Sequence, residues 1–253
     1  MKLLYTFITT LLFSTGVFAQ DLEVNGIPVL FVVTDETFPE SWKTESINAQ
    51  GIDLDTAEIK RSYELVKKAF AKYPETVLKN NLRAIYVLKS ITFYGQPFGG
   101  TNSNDVLYIA NKGKQSAYSD DYIEQTIHHE FSSILLRNFP DYFQKEKWLS
   151  YNKVGYGDGG VAALKSGSSS QVLDTALHAR GFLHQYANSD MENDFNSFAE
   201  NIFLPEMEFY NVADAYAPIA GKLELIIAFY NELDAQFSRK YFKKIKPANI
   251  KNY

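Results

Sequence analysis

The sequence predicts an α+β fold, with its strands in the first half of the chain and mostly helices in the second. Two observations lead to this prediction. The β-rich apolar runs all lie before residue 111, whereas beyond Pro140 apolar residues recur at helical spacing between Gly- and Ser-rich stretches. The chain has 253 residues, 45% of them hydrophobic, which is enough to bury a large core. We therefore expect one domain over residues 20–253.

Residues 1–19 have the features of a secretory signal peptide. Lys2 precedes a short apolar run at residues 3–13, and Ala19 precedes Gln20 at a plausible cleavage point. A membrane anchor would need about 20 continuous apolar residues, and this run is shorter and contains several threonines. We expect cleavage before Gln20 and export to the periplasm, the cell surface or the medium.

Charge and cysteine content narrow the classes of function. The formal net charge is −5, and it becomes −6 without the signal because Lys2 is the only charged residue there. This balance does not favour binding to nucleic acid. The chain contains no cysteine, so it has no Cys-based lipid anchor, and a metal site would have to use His, Asp or Glu.

In the first half, apolar runs predict strands at residues 27–34, 82–93 and 106–110. Between the first two, a helix is predicted to begin after Asp55, which together with Glu58 resembles a capping pair, and to end before Pro74. A second helix, at residues 121–138, is predicted to pack on the sheet. Three of its apolar residues at core spacing are expected to be buried: Ile127, Phe131 and Ile134.

The second half is predicted to be a loop rich in Gly and Ser followed by helices. The helical segments are residues 172–179, 192–204 and 219–241. All four histidines lie between His128 and His184, so chemistry is expected to cluster in that part of the chain.

The run His128-His129-Glu130-Phe131-Ser132-Ser133 resembles the His-Glu-x-x-His helix of zinc metallopeptidases. In that motif two histidines four residues apart hold Zn²⁺ on one helix face, and the glutamate acts as a base on the attacking water. Here His129 is the candidate ligand and Glu130 the candidate base. Ser133 stands where the second histidine is expected.

A second motif strengthens the resemblance. The chain has Gly-Phe at residues 181–182, Tyr-Ala at 186–187 and Glu-Asn-Asp-Phe at 192–195. This pattern is similar to the zinc-binding metallopeptidases of Bacteroidetes called substrate import-associated zinc metallohydrolases, which are lipoproteins. The resemblance implies a zincin-like fold with a small mixed sheet packed on the His-Glu helix, and an edge strand at residues 106–110 that pairs with extended substrate. It also implies zinc as cofactor, a peptide or protein substrate, and association with an outer-membrane uptake complex.

The chain departs from the family at two ligand positions. Besides Ser133, Asn193 occupies the position of the third metal ligand, and a one-residue offset turns a helical side chain by about 100°. Four residues are candidates to complete a metal site with His129: His184, Glu192, Asp194 and Glu200. Tyr186 either donates to a reaction oxyanion or packs.

Two functions stay open on this basis. The first is a secreted zinc-dependent peptidase in which His129 and acidic residues hold the metal and Glu130 is the base. The second is a zincin-like binding module without metal that serves surface nutrient uptake. Since a serine hydroxyl is a poor replacement for imidazole, we expect the purified protein to hold little or no zinc.

Overall fold

The structure is a computed structural model that describes residues 22–245. The predicted signal peptide and its cleavage point before Gln20 lie outside the described residues. The description confirms an α+β architecture, with a small mixed sheet on one side and helices on the other. Within residues 22–245, no helix is long and apolar enough to cross a membrane.

The strands are short. Those described are Glu23–Val24 (β1), Ile27–Leu30 (β2), Gln50–Ile52 (β3), Ala84–Leu88 (β4), Ser90–Phe93 (β5), Gln96–Phe98 (β6), Gly100–Asn102 (β7) and Val106–Ala110 (β8). Five of them form the main sheet in the order β1-β2-β4-β8-β7, in which β2, β4 and β8 run parallel. A separate antiparallel sheet contains β3, β5 and β6. The predicted strand at residues 82–93 is thus two strands, because the chain leaves the main sheet at Lys89.

The edge of the main sheet differs from the prediction. Strand β8 lies between β4 and β7, so the expectation that residues 106–110 form the edge strand is wrong. All five of its residues are buried, as a continuous apolar run in a central strand requires. The edge is β7, which pairs antiparallel with β8 and carries the small and polar residues Gly100, Thr101 and Asn102.

The described helices are Thr56–Phe70 (α1), Glu75–Asn81 (α2), Asp120–Asn138 (α3), Lys145–Ser150 (α4), Gly160–Ser166 (α5), Thr175–His178 (α6), Met191–Phe203 (α7), Met207–Ala215 (α8), Ala217–Leu233 (α9) and Arg239–Ile245 (α10). The predicted helix at 172–179 is reduced to α6, and α5 lies in a stretch predicted as loop. The segment at 219–241 is divided after Leu233, where Asp234 accepts a hydrogen bond from the Gln236 N–H and ends the helical run.

Helix α3 is the central element that positions the site. The Ser119 hydroxyl caps its start by accepting a hydrogen bond from the Tyr122 N–H. The predicted core residues Ile127, Phe131 and Ile134 are fully buried, which confirms the predicted packing face. Helices α1 and α7 both pack against α3. Its neighbouring side chains therefore enter different environments, and His128 and His129 lie on different sides of the helix.

Candidate functional site

A polar cleft of about 500 Å³ lies between the edge strand β7 and the helices α3 and α7. Because α7 runs along α3, both helices present polar side chains to the same space. The residues that define the cleft, by element, are His129, Glu130 and Ser133 of α3, Asn193 and Asn196 of α7, and Tyr186 from the segment before α7. The two sequence motifs thus meet at one place.

His129 is held by a carboxylate. Its Nδ1 lies 2.9 Å from Oε2 of Glu200, and both side chains are more than nine-tenths buried. Burial lowers the pKa of His129, but the hydrogen bond and charge of Glu200 outweigh it and raise the pKa to about 9. Burial would raise the pKa of Glu200, but its hydrogen bond to His129 and the nearby His184 imidazole lower it. The two residues form a charged pair at neutral pH.

His184 lies on the other oxygen of the same carboxylate. Its Nε2 is 3.7 Å from Oε1 of Glu200, and its Nδ1 accepts a hydrogen bond from the Ala187 N–H at 3.0 Å. An accepting Nδ1 in a neutral imidazole requires the proton on Nε2, which then faces Glu200. Glu200 therefore bridges two of the predicted histidines.

Glu130 faces the cleft and is fixed by the edge strand. The Asn102 amide donates to its Oε2 at 2.6 Å, and burial raises the pKa of Glu130. Strand β7 reaches α3 closely because residue 100 is glycine. A Cβ there would lie 2.5 Å from Cγ2 of Thr126 and 2.7 Å from Oε1 of Glu130, so any larger residue would force these side chains to move. The carboxylate is thereby placed directly beneath the sheet edge.

Ser133 and Asn193, the two departures from the resembled motif, are engaged in hydrogen bonds. The Asn196 amide donates to Oγ of Ser133 at 2.7 Å. The Asn193 amide donates to Oδ2 of Asp190 at 2.8 Å and to Oγ of Ser189 at 2.9 Å. Asp190 also caps α7 by accepting from the Asn193 N–H. Both positions belong to local networks that fix α7 in place.

Tyr186 lies over the His129 ring, with nearly parallel planes and centroids 6.0 Å apart. Burial raises the pKa of Tyr186, so its hydroxyl stays protonated at neutral pH. Its ring packs on His129 and also lines the cleft, whereas donation to a reaction oxyanion stays a prediction.

The remaining candidates are placed apart from His129. Glu192 lies at the rim of the cleft and forms an ion pair with Arg137 at 3.0 Å. Asp194 points to the opposite side of α7, into the core, where its Oδ2 lies 2.6 Å from Nζ of Lys222. The expectation that Asp194 stands beside His129 is therefore corrected, because the 100° turn per helical residue places it among apolar side chains.

The donor chemistry at the motif positions does not fit a zinc site. The three positions carry one imidazole, one alcohol and one amide, whereas catalytic zinc is normally held by three imidazole, thiolate or carboxylate ligands. Among residues 22–245, no group of three or more His, Cys, Asp or Glu is arranged to hold a metal ion. The structure gathers His129, His184 and Glu200, with His129 hydrogen-bonded to Glu200 and His184 at 3.7 Å from its other oxygen.

Three functional residues were missed from the sequence: Asn102, Arg137 and Asn196. Asn196 could have been found, because Asn193, Asn196 and Glu200 recur at helical spacing on one face of α7, opposite its aromatic residues. Asn102 bridges Glu130 and Arg137. No pattern in the sequence identifies that bridge, because it depends on which strand forms the sheet edge.

Neither a scan against family models nor searches of curated proteins and of solved structures found a match for this chain.

Proposed function

We propose that this protein is a zincin-like module that binds an extended peptide segment in the cleft beside β7 without depending on zinc. The observation that carries the proposal is the hydrogen bond from the Asn196 amide to the Ser133 hydroxyl, at the position where the resembled peptidases have a second histidine. An alcohol held by an amide is suited to hydrogen bonding with a ligand and is a weak metal ligand.

The free edge of β7 supports a peptide as the ligand. Gly99 and Ser103 make their backbone hydrogen bonds to β8. Since backbone groups alternate in direction along an antiparallel pair, the N–H and C=O of Gly100 and Asn102 point away from β8. An extended peptide can add to these groups as a further strand. The cleft beneath then receives alternate side chains of the peptide.

Export through residues 1–19 and association with an outer-membrane uptake complex are parts of the same proposal. They are supported by the sequence features and by the family resemblance given above. The peptide would in that setting come from a partner protein or from imported material.

The test is a binding selection with a library of capped hexapeptides on immobilised protein, carried out in EDTA. The best binder is then resynthesised with single N-methyl groups. We expect binding to survive EDTA, and N-methylation to weaken binding at alternate positions by roughly tenfold, because each such group removes one strand hydrogen bond. Loss of binding in EDTA with recovery on adding zinc would contradict the proposal.

A second candidate is a hydrolase that uses Glu130 as its base. The observation that favours it is the position of this carboxylate in the cleft, next to His129, with its pKa raised by burial. If it is right, Glu130→Gln should keep the fold and lower peptide cleavage by about 10²-fold. Glu192→Gln, at the rim, is the matched control. On our proposal neither variant nor the parent cleaves the library, with or without zinc.

A further inference from the structure

A second polar cavity, of about 290 Å³, adjoins the cleft at the end of β7. Asn102 lines both spaces, so the cavity continues the path that a peptide paired with β7 would follow. Two arginines from different elements line this cavity: Arg83, which precedes β4, and Arg137, near the end of α3. In a chain of net charge −5, two guanidinium groups at one site are a distinct feature.

The guanidinium of Arg137 is held in place by the loop after β7. It donates to the side chain of Asn102 and, at 2.9 Å, to the carbonyl oxygen of Ser103. Its ion pair with Glu192 lies on the side facing the cleft. A positive charge fixed by backbone and amide contacts is oriented before any ligand binds, which lowers the cost of ordering it.

Arg83 is more open. Its side chain is 68% exposed, and its Nε lies 3.2 Å from Oδ2 of Asp105. The backbone N–H of Arg83 also donates to the Asp105 carbonyl, which ties the residue to the strand end. This contact uses Nε, so the two terminal nitrogens of the exposed guanidinium are the donors that a carboxylate could engage.

The charges on the two sides of Asn102 differ. The cavity wall carries Arg83 and Arg137 against one carboxylate, Asp105, whereas the cleft carries three carboxylates, Glu130, Asp190 and Glu192, and one imidazole, His129. A strand rises about 3.3 Å per residue, so a peptide residue two or three positions from the one opposite Gly100 reaches the arginines. That position therefore favours an anionic group on the peptide.

We propose that the cavity at the end of β7 is a subsite for a carboxylate of the bound peptide, held by Arg83 and Arg137. The inference rests on the proposed peptide-binding function. The carboxylate is either an acidic side chain or the peptide's own C-terminus, and the test below distinguishes these two sources.

The experiment uses three hexapeptide pools on the full exported chain. One pool is uncharged and capped at both ends, one is capped and has a glutamate at either terminal position, and one is uncharged with a free C-terminal carboxylate. We expect the protein to prefer one of the two anionic pools over the uncharged pool by roughly tenfold, as one charge-assisted hydrogen-bonded contact supplies. The preferred pool identifies the source of the carboxylate.

Arg83→Gln should abolish this preference and leave binding of the uncharged pool unchanged. The matched control is Arg239→Gln, because Arg239 is also exposed and pairs with a single carboxylate, Glu224, in another part of the molecule. It should leave all three affinities unchanged. Equal binding of the three pools by the parent, or an equal loss of all three in Arg83→Gln, refutes the subsite while peptide binding stands. If no pool binds, the proposed function fails and the subsite fails with it.

Discussion

The two sides of the α3–α7 pair carry similar residues in opposite environments. On the core side, His128 accepts from or donates to the Tyr73 hydroxyl at 2.8 Å, and Asp194 is paired with Lys222, all of them buried. On the cleft side, His129 is paired with Glu200 beside open space. Burial lowers the pKa of His128 to about 4, whereas Glu200 raises that of His129 to about 9.

The difference shows how one helix places similar side chains in a sealed core on one side and in a cleft on the other. His128 and His129 are neighbours in sequence, but the 100° turn between them separates a neutral core imidazole from a charged one in the cleft. Asp194 and Glu200 on α7 divide in the same way. Substitutions on the core side should therefore act on stability, and those on the cleft side mainly on binding.

The largest effect is expected from breaking the core ion pair. Lys222→Met leaves Asp194 without its cation in a fully buried setting, where the Trp148 indole and the Tyr156 hydroxyl remain as donors. Removing one partner of a buried pair should cost about 3–5 kcal/mol in the free energy of unfolding. Urea denaturation followed by tryptophan fluorescence measures it.

Two controls sharpen this result. Adding Asp194→Asn to Lys222→Met removes the buried negative charge, so the double variant should recover most of the lost free energy of unfolding. On the cleft side, Glu200→Gln should cost less in the free energy of unfolding than Lys222→Met, because the amide oxygen can still accept a hydrogen bond from the His129 imidazole. If Lys222→Met lowers the free energy of unfolding by less than about 1 kcal/mol, the Asp194–Lys222 pair is not shielded from water.

Below neutral pH, the change of the free energy of unfolding with pH should come largely from His128. Its folded pKa of about 4 lies below the value of an exposed histidine, near 6.5, so the unfolded chain takes up a proton first. The stability that the neutral, buried His128 contributes is complete above pH 6.5 and is lost as the pH falls towards 4. Between pH 6.5 and 5 this amounts to about 2 kcal/mol.

The variant that tests this combines His128→Leu with Tyr73→Phe, which removes both members of the hydrogen bond. Glu124, Lys72 and the ring of Phe203 also face His128, and none of them is altered. The double variant should lose the slope between pH 6.5 and 5, although its overall stability is lower. An unchanged slope would assign the acid sensitivity to other groups.

The third prediction concerns the substituted ligand position. Ser133→Ala removes the acceptor of the Asn196 amide, and we expect a loss of about 1 kcal/mol in the free energy of unfolding because cleft water replaces part of the bond. If the Ser133 hydroxyl contacts the ligand, the free energy of peptide binding should weaken by more than about 1 kcal/mol. Asn196→Ala, which also releases Ser132, should have the larger effect on stability. Equal effects would mean that the bond between Ser132 and Asn196 adds nothing measurable to the free energy of unfolding.

The sequence predicted the elements that depend on local pattern. The strand at residues 106–110 has the predicted bounds, α3 begins one residue earlier than predicted, and its apolar stripe is buried. His129 and Glu130 also face a cleft, as their motif indicated. These features depend on neighbours in sequence, and periodicity is sufficient to find them.

The parts that were not predicted depend on long-range pairing. Strand β7 lies at the sheet edge because it pairs with β8. A three-residue Gly-Thr-Asn segment has no sequence pattern from which this pairing could be predicted. The orientation of Asp194 could have been predicted from the sequence. It lies four residues before Phe198 on the apolar face of α7, so the phase of that helix already placed it in the core.

The smallest effect is expected on the alkaline side, from His129. Its folded pKa of about 9 lies above that of an exposed histidine, so the native state keeps a proton that the unfolded chain releases near pH 6.5. The stability contributed by this pair is therefore complete below pH 6.5 and declines as the pH rises towards 9. Between pH 6.5 and 7.5 this decline should amount to about 1 kcal/mol. Glu200→Gln should abolish the decline and lower the His129 pKa, which NMR titration of the imidazole measures directly. A native His129 that titrates below pH 7 in the parent protein would contradict the pairing, and with it the contrast between the two sides of α3.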